Sequence, residues 1–295
     1  MLKYILYILG FLTLVVVSFE LMMPYVAIKR PHTHQRFDKT NFNTEKLNLR
    51  TNDSLSLNTF LLRPKQEAKG TIILLHGIGS SHGRFRFFAP MLLDWGLNVV
   101  VFDMRAHGKS EGDYCTFGYY EKYDVQRLLD ILEQKNVKQP IGVFGSSLGG
   151  AVALQTLAID KRLKFGVIES TFDTYENVAL EYGEDIIQFR SPSLTKHILE
   201  KAGKIADFDP FSIKPVESCA EIDVPIFMSH GSKDNRIPVS FGLKNFDALK
   251  TKEKIWQLVD GANHHTVHQK GGAVYFEKMK AFIFRQLAKS NTENP

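Results

Sequence analysis

The middle of the chain alternates between short, continuous apolar runs and stretches whose apolar residues recur at helical spacing. The runs have the length of strands and show no alternation of apolar and polar residues, which is typical of parallel strands covered on both faces. Between two of them, Val125, Leu128, Leu129 and Leu132 recur at helical spacing and predict a helix. This order predicts a doubly wound, mostly parallel α/β sheet. The apolar runs are residues 72–75, 99–102, 141–144, 165–168, 226–228 and 255–259.

A different pattern precedes this region. Residues 46–50 and 55–61 alternate with a period of two on either side of the polar sequence 51–54. This pattern predicts an antiparallel hairpin at an edge of the sheet.

The first 28 residues are much more apolar than the rest, and the chain carries no charge from Tyr4 to Phe19. A helix of that length reaches about 24 Å, short of the ~30 Å hydrocarbon core, so a span would continue past Glu20 with a local adjustment at Pro24. No small-x-small cleavage site follows the apolar run, as a secretory signal peptide would require. We therefore predict that residues 1–28 are an uncleaved, single-pass transmembrane anchor carrying a soluble domain. A signal-anchor that exports the domain is the alternative.

The sequence does not determine on which side of the membrane the soluble domain lies. Lys29, Arg30, Arg36 and Lys39 follow the apolar segment and outnumber Lys3 on its other side, which by the positive-inside rule favours a cytoplasmic domain. The net charge of +5 is spread along the chain without a dense basic run, so nucleic acid is not an expected partner. Weak attraction to anionic lipid headgroups suits an anchored protein.

The remaining divisions follow from composition and spacing. Residues 29–44 are polar and are predicted to be a linker, and residues 45–170 and 222–295 form the predicted α/β core. Residues 171–221 are too long for an ordinary connection between core strands and are predicted to be a helical lid insertion. Cys115 and Cys219 have neither disulfide-framework nor metal-ligand spacing and are interpreted as small apolar residues.

The candidate chemistry centres on Gly145-Ser146-Ser147-Leu148-Gly149, which lies between an apolar strand and an apolar helix. In such a strand-turn-helix the turn is strained, the Ser147 hydroxyl points outward, and a Cβ at Gly145 or Gly149 would collide with neighbouring elements. The amide of Leu148 opens the helix and is placed to donate to an oxyanion. The motif predicts that Ser147 is a nucleophile.

Ligands bind beyond the carboxyl ends of the strands in such sheets, so partners of Ser147 are expected among the residues that follow each run. Asp234 follows run 226–228 and is the predicted acid, with Glu169 as the alternative. His264 follows run 255–259 and is the predicted general base, with His265 second. The spacing of His264 and His268 lacks the glutamate of a zinc-binding His-Glu-x-x-His motif, so no metal is expected.

Two further loops follow strands. In His76-Gly77-Ile78-Gly79, the amide of Ile78 is the predicted second oxyanion donor, and His76 is interpreted as a buried hydrogen-bonding residue. In the loop after run 99–102, Asp103, Arg105 and Ser110 are expected to pair with one another and with nearby backbone, because polar groups buried in a turn need partners.

These residues resemble the α/β-hydrolase superfamily over residues 45 to 288. The motifs similar to its esterase, lysophospholipase and serine-aminopeptidase-like branch are His76-Gly77-x-Gly79, Asp103-x-Arg105-x-His107-Gly108-x-Ser110, Gly118-x-x-Glu121-x-x-Asp124, Gly145-Ser146-Ser147-Leu148-Gly149, His230-Gly231-x-x-Asp234-x-x-x-Pro238 and Gly261-Ala262-x-His264. The resemblance implies nucleophile Ser147, base His264, acid Asp234 and main-chain oxyanion donors at Ile78 and Leu148, without a cofactor.

The hypothesis from the sequence is a membrane-anchored serine hydrolase that cleaves carboxylic esters through an acyl-enzyme, with lysophospholipids or monoacyl lipids as the expected substrates. The predicted lid would line and gate an acyl pocket; a cover that only packs on itself is the alternative. Two other functions are kept open, an amidase or peptidase with the same triad and a binding protein without catalysis on the same fold.

Overall fold

The computed structural model describes residues 1–30 and 32–293. Residue 31 of the predicted linker and residues 294–295 of the predicted core lie outside the described residues. The strands are β1 (Asn43–Arg50), β2 (Ser56–Arg63), β3 (Gly70–Leu75), β4 (Leu97–Phe102), β5 (Ile141–Ser146), β6 (Leu163–Glu169), β7 (Ile226–Gly231) and β8 (Lys254–Val259). Within the described residues they form one sheet with the order β1-β2-β4-β3-β5-β6-β7-β8.

The sheet has the predicted architecture. Strands β1 and β2 pair as an antiparallel hairpin at one edge, and β2 also runs antiparallel to β4. All other neighbouring strands are parallel. Each predicted apolar run lies within a strand, so the prediction of a mostly parallel sheet with an N-terminal antiparallel hairpin is confirmed.

Helices cover both faces of this sheet. The α-helices are α1 (Leu2–Ile28), α2 (Phe88–Asp94), α3 (Glu121–Gln134), α4 (Leu148–Ile159), α5 (Tyr175–Ile187), α6 (Pro192–Ala206), α7 (Pro215–Cys219), α8 (Val239–Ala248) and α9 (Val267–Glu293). One apolar layer joins the sheet to α2 and α9, and the other joins it to α3, α4, α7 and α8. Because β3, β4 and β5 lie between the two layers, every residue of these strands is buried.

Helix α1 differs from the others because most of it stands away from the sheet. The segment Lys3–Ile28 has a mean hydropathy of 2.3 over its most apolar window, and none of that window is buried. Pro24 lies inside the helix, which continues through it to Ile28. Its length and composition are those of a membrane span or of a signal sequence.

The predicted insertion, residues 171–221, contains α5, α6 and α7 and a 3₁₀ turn at Pro210–Ser212. Each of the two longer helices begins at a side-chain cap, since Thr174 accepts from the amide of Asn177 and Ser191 from that of Leu194. Helix α6 packs along α1 as well as α5. The insertion therefore packs on the N-terminal helix and not only on itself.

The loop after β4 is held by buried polar contacts. Asp103 accepts from the backbone amide of His82 at 2.7 Å, from its Nδ1 at 2.8 Å and from the amide of Lys109 at 2.9 Å. The Ser110 hydroxyl donates to the Asp103 carbonyl oxygen, as expected. The loop is thus tied to the segment that follows β3.

The expectation that Arg105 would pair within this loop is wrong. Its guanidinium makes two 2.7 Å hydrogen bonds to the Asp124 carboxylate on α3 and two longer ones to Asp53 in the hairpin turn. The side chains of Arg105 and Asp124 are 7% and 2% exposed, whereas that of Asp53 is 52% exposed. A buried guanidinium needs a carboxylate with matching bidentate geometry, and α3 supplies it from outside the loop.

This difference in burial predicts unequal stability losses. Asp124→Asn should lower the free energy of unfolding by about 3–5 kcal/mol, because it removes the buried carboxylate and leaves the buried Arg105 charge paired with the exposed Asp53. The control Asp53→Asn removes an exposed partner of the same guanidinium and should cost less than about 1 kcal/mol. Urea denaturation of the detergent-solubilised full chain measures both, and equal losses would contradict the assignment.

Candidate active site

Ser147 lies in a sharp turn between β5 and α4, with φ 58° and ψ −121°. This left-handed backbone is strained for a residue with a side chain. As the motif predicts, neighbouring glycines leave no room for a Cβ. A Cβ on Gly145 would lie 2.2 Å from the Gly149 carbonyl oxygen, and one on Gly149 would lie 2.1 Å from the Leu75 carbonyl oxygen. The turn therefore packs directly against the end of β3.

The structure brings Ser147, His264 and Asp234 into one chain of hydrogen bonds. The Ser147 Oγ lies 3.0 Å from Nε2 of His264, and the Nδ1 of His264 lies 2.8 Å from Oδ2 of Asp234. All three residues are buried. In this geometry the carboxylate orients the imidazole and the imidazole can accept the hydroxyl proton.

Asp234 is held as a carboxylate by its surroundings. Burial would raise its pKa, but hydrogen bonds with His230 and His264, the charge of His264 and the amide of Ile237 outweigh this effect and hold the pKa well below its usual range. The amide of Arg236 donates to the same oxygen as that of Ile237, at 3.0 and 2.9 Å. Its negative charge is therefore available to an imidazolium at His264.

Two backbone amides lie beside the Ser147 hydroxyl. Leu148 is the first residue of α4, where the N–H groups of the first turn lack helical acceptors. A Cβ on Gly77 would lie 3.4 Å from the Ser147 Cβ, which brings the neighbouring Ile78 close to the same site. Among the described residues, the Ile78 amide has no hydrogen-bond acceptor. These are the two amides that the sequence predicts as oxyanion donors.

The buried His76 holds the backbone next to Ile78 in place. Its ring is completely buried, with Nδ1 2.8 Å from the Gly77 carbonyl oxygen and Nε2 accepting from the amide of Met104 at 3.1 Å. Burial lowers its pKa to about 3, so the ring is neutral. His76 thus has the structural position expected from the sequence.

The alternative acid and base lie elsewhere. Glu169 contacts Tyr275 Oη at 3.0 Å and His268 Nε2 at 2.9 Å, and it makes no contact with His264. His265 is exposed, and its ring meets that of His264 at a centroid distance of 5.1 Å without reaching Ser147. The hydrogen bonds therefore favour Asp234 and His264 over these two alternatives.

A cavity of about 350 Å³ has Ile78 and Phe117 in its wall. The rest of the lining comes from the last turns of α1 and Arg30 just after it, the helices of the predicted insertion and the loop that carries Asp234. Those lining residues are Met23, Val26, Ala27, Arg30, Tyr175, Ala179, Tyr182, Gly183, Asp185, Ile186, Thr195, Ile198, Leu199 and Arg236.

The contribution of α1 to this cavity was not expected from the sequence. The only signal was that apolar residues continue after Glu20 as far as Ile28. The sequence does not indicate Arg30 or Arg236 either, because neither is a defined position of a motif and they line the same cavity only in the folded chain. Among the described residues, no group of three or more histidine, cysteine or acidic side chains is placed to hold a metal ion.

Comparisons with known proteins agree with this fold and with these motifs. The family model described as serine aminopeptidase, S33 matches residues 66–171. The esterase Pf2001 of Pyrococcus furiosus is similar in structure, with a TM-score of 0.70 and 23% sequence identity over 87% of this chain and 98% of that one.

Two curated proteins illustrate the similarity in sequence. The protein YqkD of Bacillus subtilis is 24% identical over 74% of this chain and 72% of its own length. Human monoglyceride lipase is 32% identical over 32% of each chain. The sheet order, the turn at Ser147 and the match to the Pyrococcus esterase show that the chain has the α/β-hydrolase fold, and the chain is similar to esterase- and lipase-like hydrolases.

Proposed function

We propose that this protein hydrolyses carboxylic esters with Ser147 as nucleophile, His264 as general base and Asp234 as the acid that orients it. The observation that carries the proposal is the continuous chain of hydrogen bonds from Asp234 through His264 to Ser147. The amides of Ile78 and Leu148 are the proposed oxyanion donors.

The reaction follows from this geometry. The Ser147 oxygen attacks the ester carbonyl carbon while its proton passes to Nε2 of His264, and the two amides stabilise the oxyanion. The imidazolium then gives this proton to the leaving alcohol as the ester bond breaks, which leaves an acyl-enzyme. Water, deprotonated by His264, attacks the acyl carbon, and the Ser147 hydroxyl is restored as the carboxylic acid leaves.

The assigned nucleophile predicts covalent labelling at one residue. A fluorophosphonate probe should label the wild-type chain at Ser147, because the hydroxyl is activated by His264. Ser147→Ala should abolish both the labelling and the ester hydrolysis, whereas Ser146→Ala, at the preceding position, should keep the labelling. Persistent labelling of Ser147→Ala would refute the nucleophile, and an unlabelled wild type would favour a binding protein.

The two acidic candidates are separated by their neutral analogues. Asp234→Asn should lower kcat on a short p-nitrophenyl ester by on the order of 10⁴-fold, because the amide cannot hold the required histidine tautomer. Glu169→Gln lies outside the hydrogen-bonded chain and should lower kcat less than tenfold. Steady-state kinetics, with circular dichroism to check folding, measures both. A larger loss in Glu169→Gln would overturn the choice of acid.

For the substrate we propose a monoacyl lipid, with lysophospholipids favoured. Apolar side chains such as Ile198 and Leu199 line the cavity beside Ile78, which suits an acyl chain placed next to the oxyanion donors. Residues 171–221 would serve as the lid, because α5 and α6 form much of this wall. Residues 1–28 would anchor the domain in a membrane; a signal sequence is the alternative.

Two guanidinium groups at this cavity support an anionic headgroup. Arg30 and Arg236 line it, and neither forms an ion pair with a carboxylate in the described part of the chain. Tyr182 lines the same cavity; burial raises its pKa, the charges of Arg236 and Arg30 lower it, and those of Asp234 and Asp185 raise it. A phosphate is the anion that a guanidinium binds most effectively.

This charge predicts headgroup selectivity. Arg236→Gln should lower kcat/KM for palmitoyl lysophosphatidic acid about tenfold through loss of a charge-assisted hydrogen bond, with little change for 1-palmitoylglycerol. Lys233→Gln, an exposed position in the same loop that does not line the cavity, is the control. The rate of palmitate release is measured for the wild type and for both variants. Equal losses on the two lipids would contradict recognition of the phosphate.

The match to a serine aminopeptidase model favours one second candidate, a peptidase with the same triad. Amide cleavage would require His264 to protonate a poor leaving group. Comparison of p-nitrophenyl esters with aminoacyl p-nitroanilides separates the two activities. We propose the esterase because the cavity wall is mainly apolar and carries two arginines.

A further inference from the structure

We propose that the last turns of α1 are part of the substrate site, so that the acyl chain is bound between the N-terminal helix and the lid and enters directly from the bilayer. This inference rests on the proposed ester hydrolysis and the proposed anchor. It gives the N-terminal segment a role in substrate selection besides attachment.

Helix α1 consists of two parts with different surroundings. The described side chains from Lys3 to Val17 are exposed, whereas Pro24 and Ile28 are buried against the domain. The carbonyl oxygen of Ala27 accepts from Tyr175 Oη at 3.0 Å, and that of Ile28 accepts from the amide of Cys115 at 2.9 Å. The end of α1 is therefore packed as an element of the hydrolase domain.

An ionic contact joins α1 to the lid at the start of the packed part. The Glu20 carboxylate accepts from Nε2 of His197 at 2.9 Å and from Nζ of Lys201, both on α6. Helix α6 also packs along α1. The same two helices also line the cavity, with Met23 and Val26 from α1 and Ile198 from α6.

The position of Glu20 relates the cavity to the bilayer. The uncharged stretch Tyr4–Phe19 extends about 24 Å. This length spans a slightly thinned hydrocarbon core when the Lys3 side chain reaches toward the far headgroups. In this arrangement the near boundary falls at Glu20. This corrects the expectation that the span continues past Glu20, because Pro24 and Ile28 are packed against the domain. Met23 and Ala27 follow on the same helix at about 5 and 11 Å beyond it, a distance that a bound acyl chain readily covers.

Exposed apolar side chains lie at the end of α5 and in the turn between α5 and α6. Ile186 lines the cavity and is 57% exposed, and Phe189 in the turn is 66% exposed. Exposed apolar residues beside a cavity mark a surface that contacts lipid or partners. An acyl chain moving from the bilayer to Ile78 along this path remains in contact with apolar side chains.

The test is a pair of identical substitutions on the same helix. Val26→Trp places a large side chain in the cavity, and Val16→Trp places the same side chain where α1 is exposed and expected to contact lipid. For each full-length protein in vesicles, kcat/KM is measured on p-nitrophenyl butyrate and on a palmitoyl lysophospholipid.

We expect Val26→Trp to lower kcat/KM for the palmitoyl lipid at least tenfold and to change that for the butyrate ester less than twofold. Val16→Trp should change both less than twofold. Equal effects of the two substitutions on the palmitoyl lipid, or an equal loss on both substrates in Val26→Trp, would overturn the inference.

A smaller change gives a second measurement in case the tryptophan disturbs folding. Val26→Ala enlarges the cavity and should move the preferred acyl length, over p-nitrophenyl esters from C4 to C16, toward longer chains by at least two carbons. An unchanged profile with Ser147-dependent turnover would refute only this inference. Absence of Ser147-dependent turnover on every ester would refute the proposed function itself.

Discussion

The close packing of β3, β5 and α4 around Ser147 is the constraint on which the site depends. A side-chain-bearing residue in this left-handed backbone costs on the order of 1–3 kcal/mol, so the surrounding contacts must hold it. They do so because Gly149 lies against the Leu75 carbonyl and the Thr171 hydroxyl donates to the Ser147 carbonyl at 2.9 Å. The same packing brings Gly77, and with it the loop of Ile78, next to Ser147. The strain at Ser147 and the position of this loop therefore have a single cause.

Buried polar groups extend this rigid arrangement beyond the turn. His76 joins the loop of Ile78 to the backbone at Met104. Asp234 receives hydrogen bonds from His264 and two amides, and Nε2 of His230 lies 3.4 Å from it. The part of the cavity wall formed by α5 and α6 differs from this rigid arrangement, since α5 ends in exposed apolar residues and is joined to α6 by a short turn. The polar groups around Ser147 are therefore fixed by buried contacts, whereas this part of the wall is exposed.

Much of this could be predicted from the sequence because the relevant signals are local. Continuous apolar runs indicate buried parallel strands, and the residues after them necessarily meet at one edge of the sheet, as Ser147 and His264 do. Partners from distant elements could not be predicted, because periodicity indicates which face of a helix is apolar and not what that face contacts. Arg105 therefore finds Asp124 on α3, and the end of α1 forms a cavity wall instead of only completing a span.

The fixed attachment of α1 to the domain has a kinetic consequence in the proposed membrane arrangement. Hydrogen bonds from Tyr175 and from the backbone at Cys115 hold the helix end, so the domain cannot swing freely on a flexible tether. The cavity would then stay at one height above the bilayer, and substrate would arrive by lateral diffusion in two dimensions. Turnover would then follow the mole fraction of substrate among the surrounding lipids, and dilution of the whole suspension with buffer would leave it unchanged.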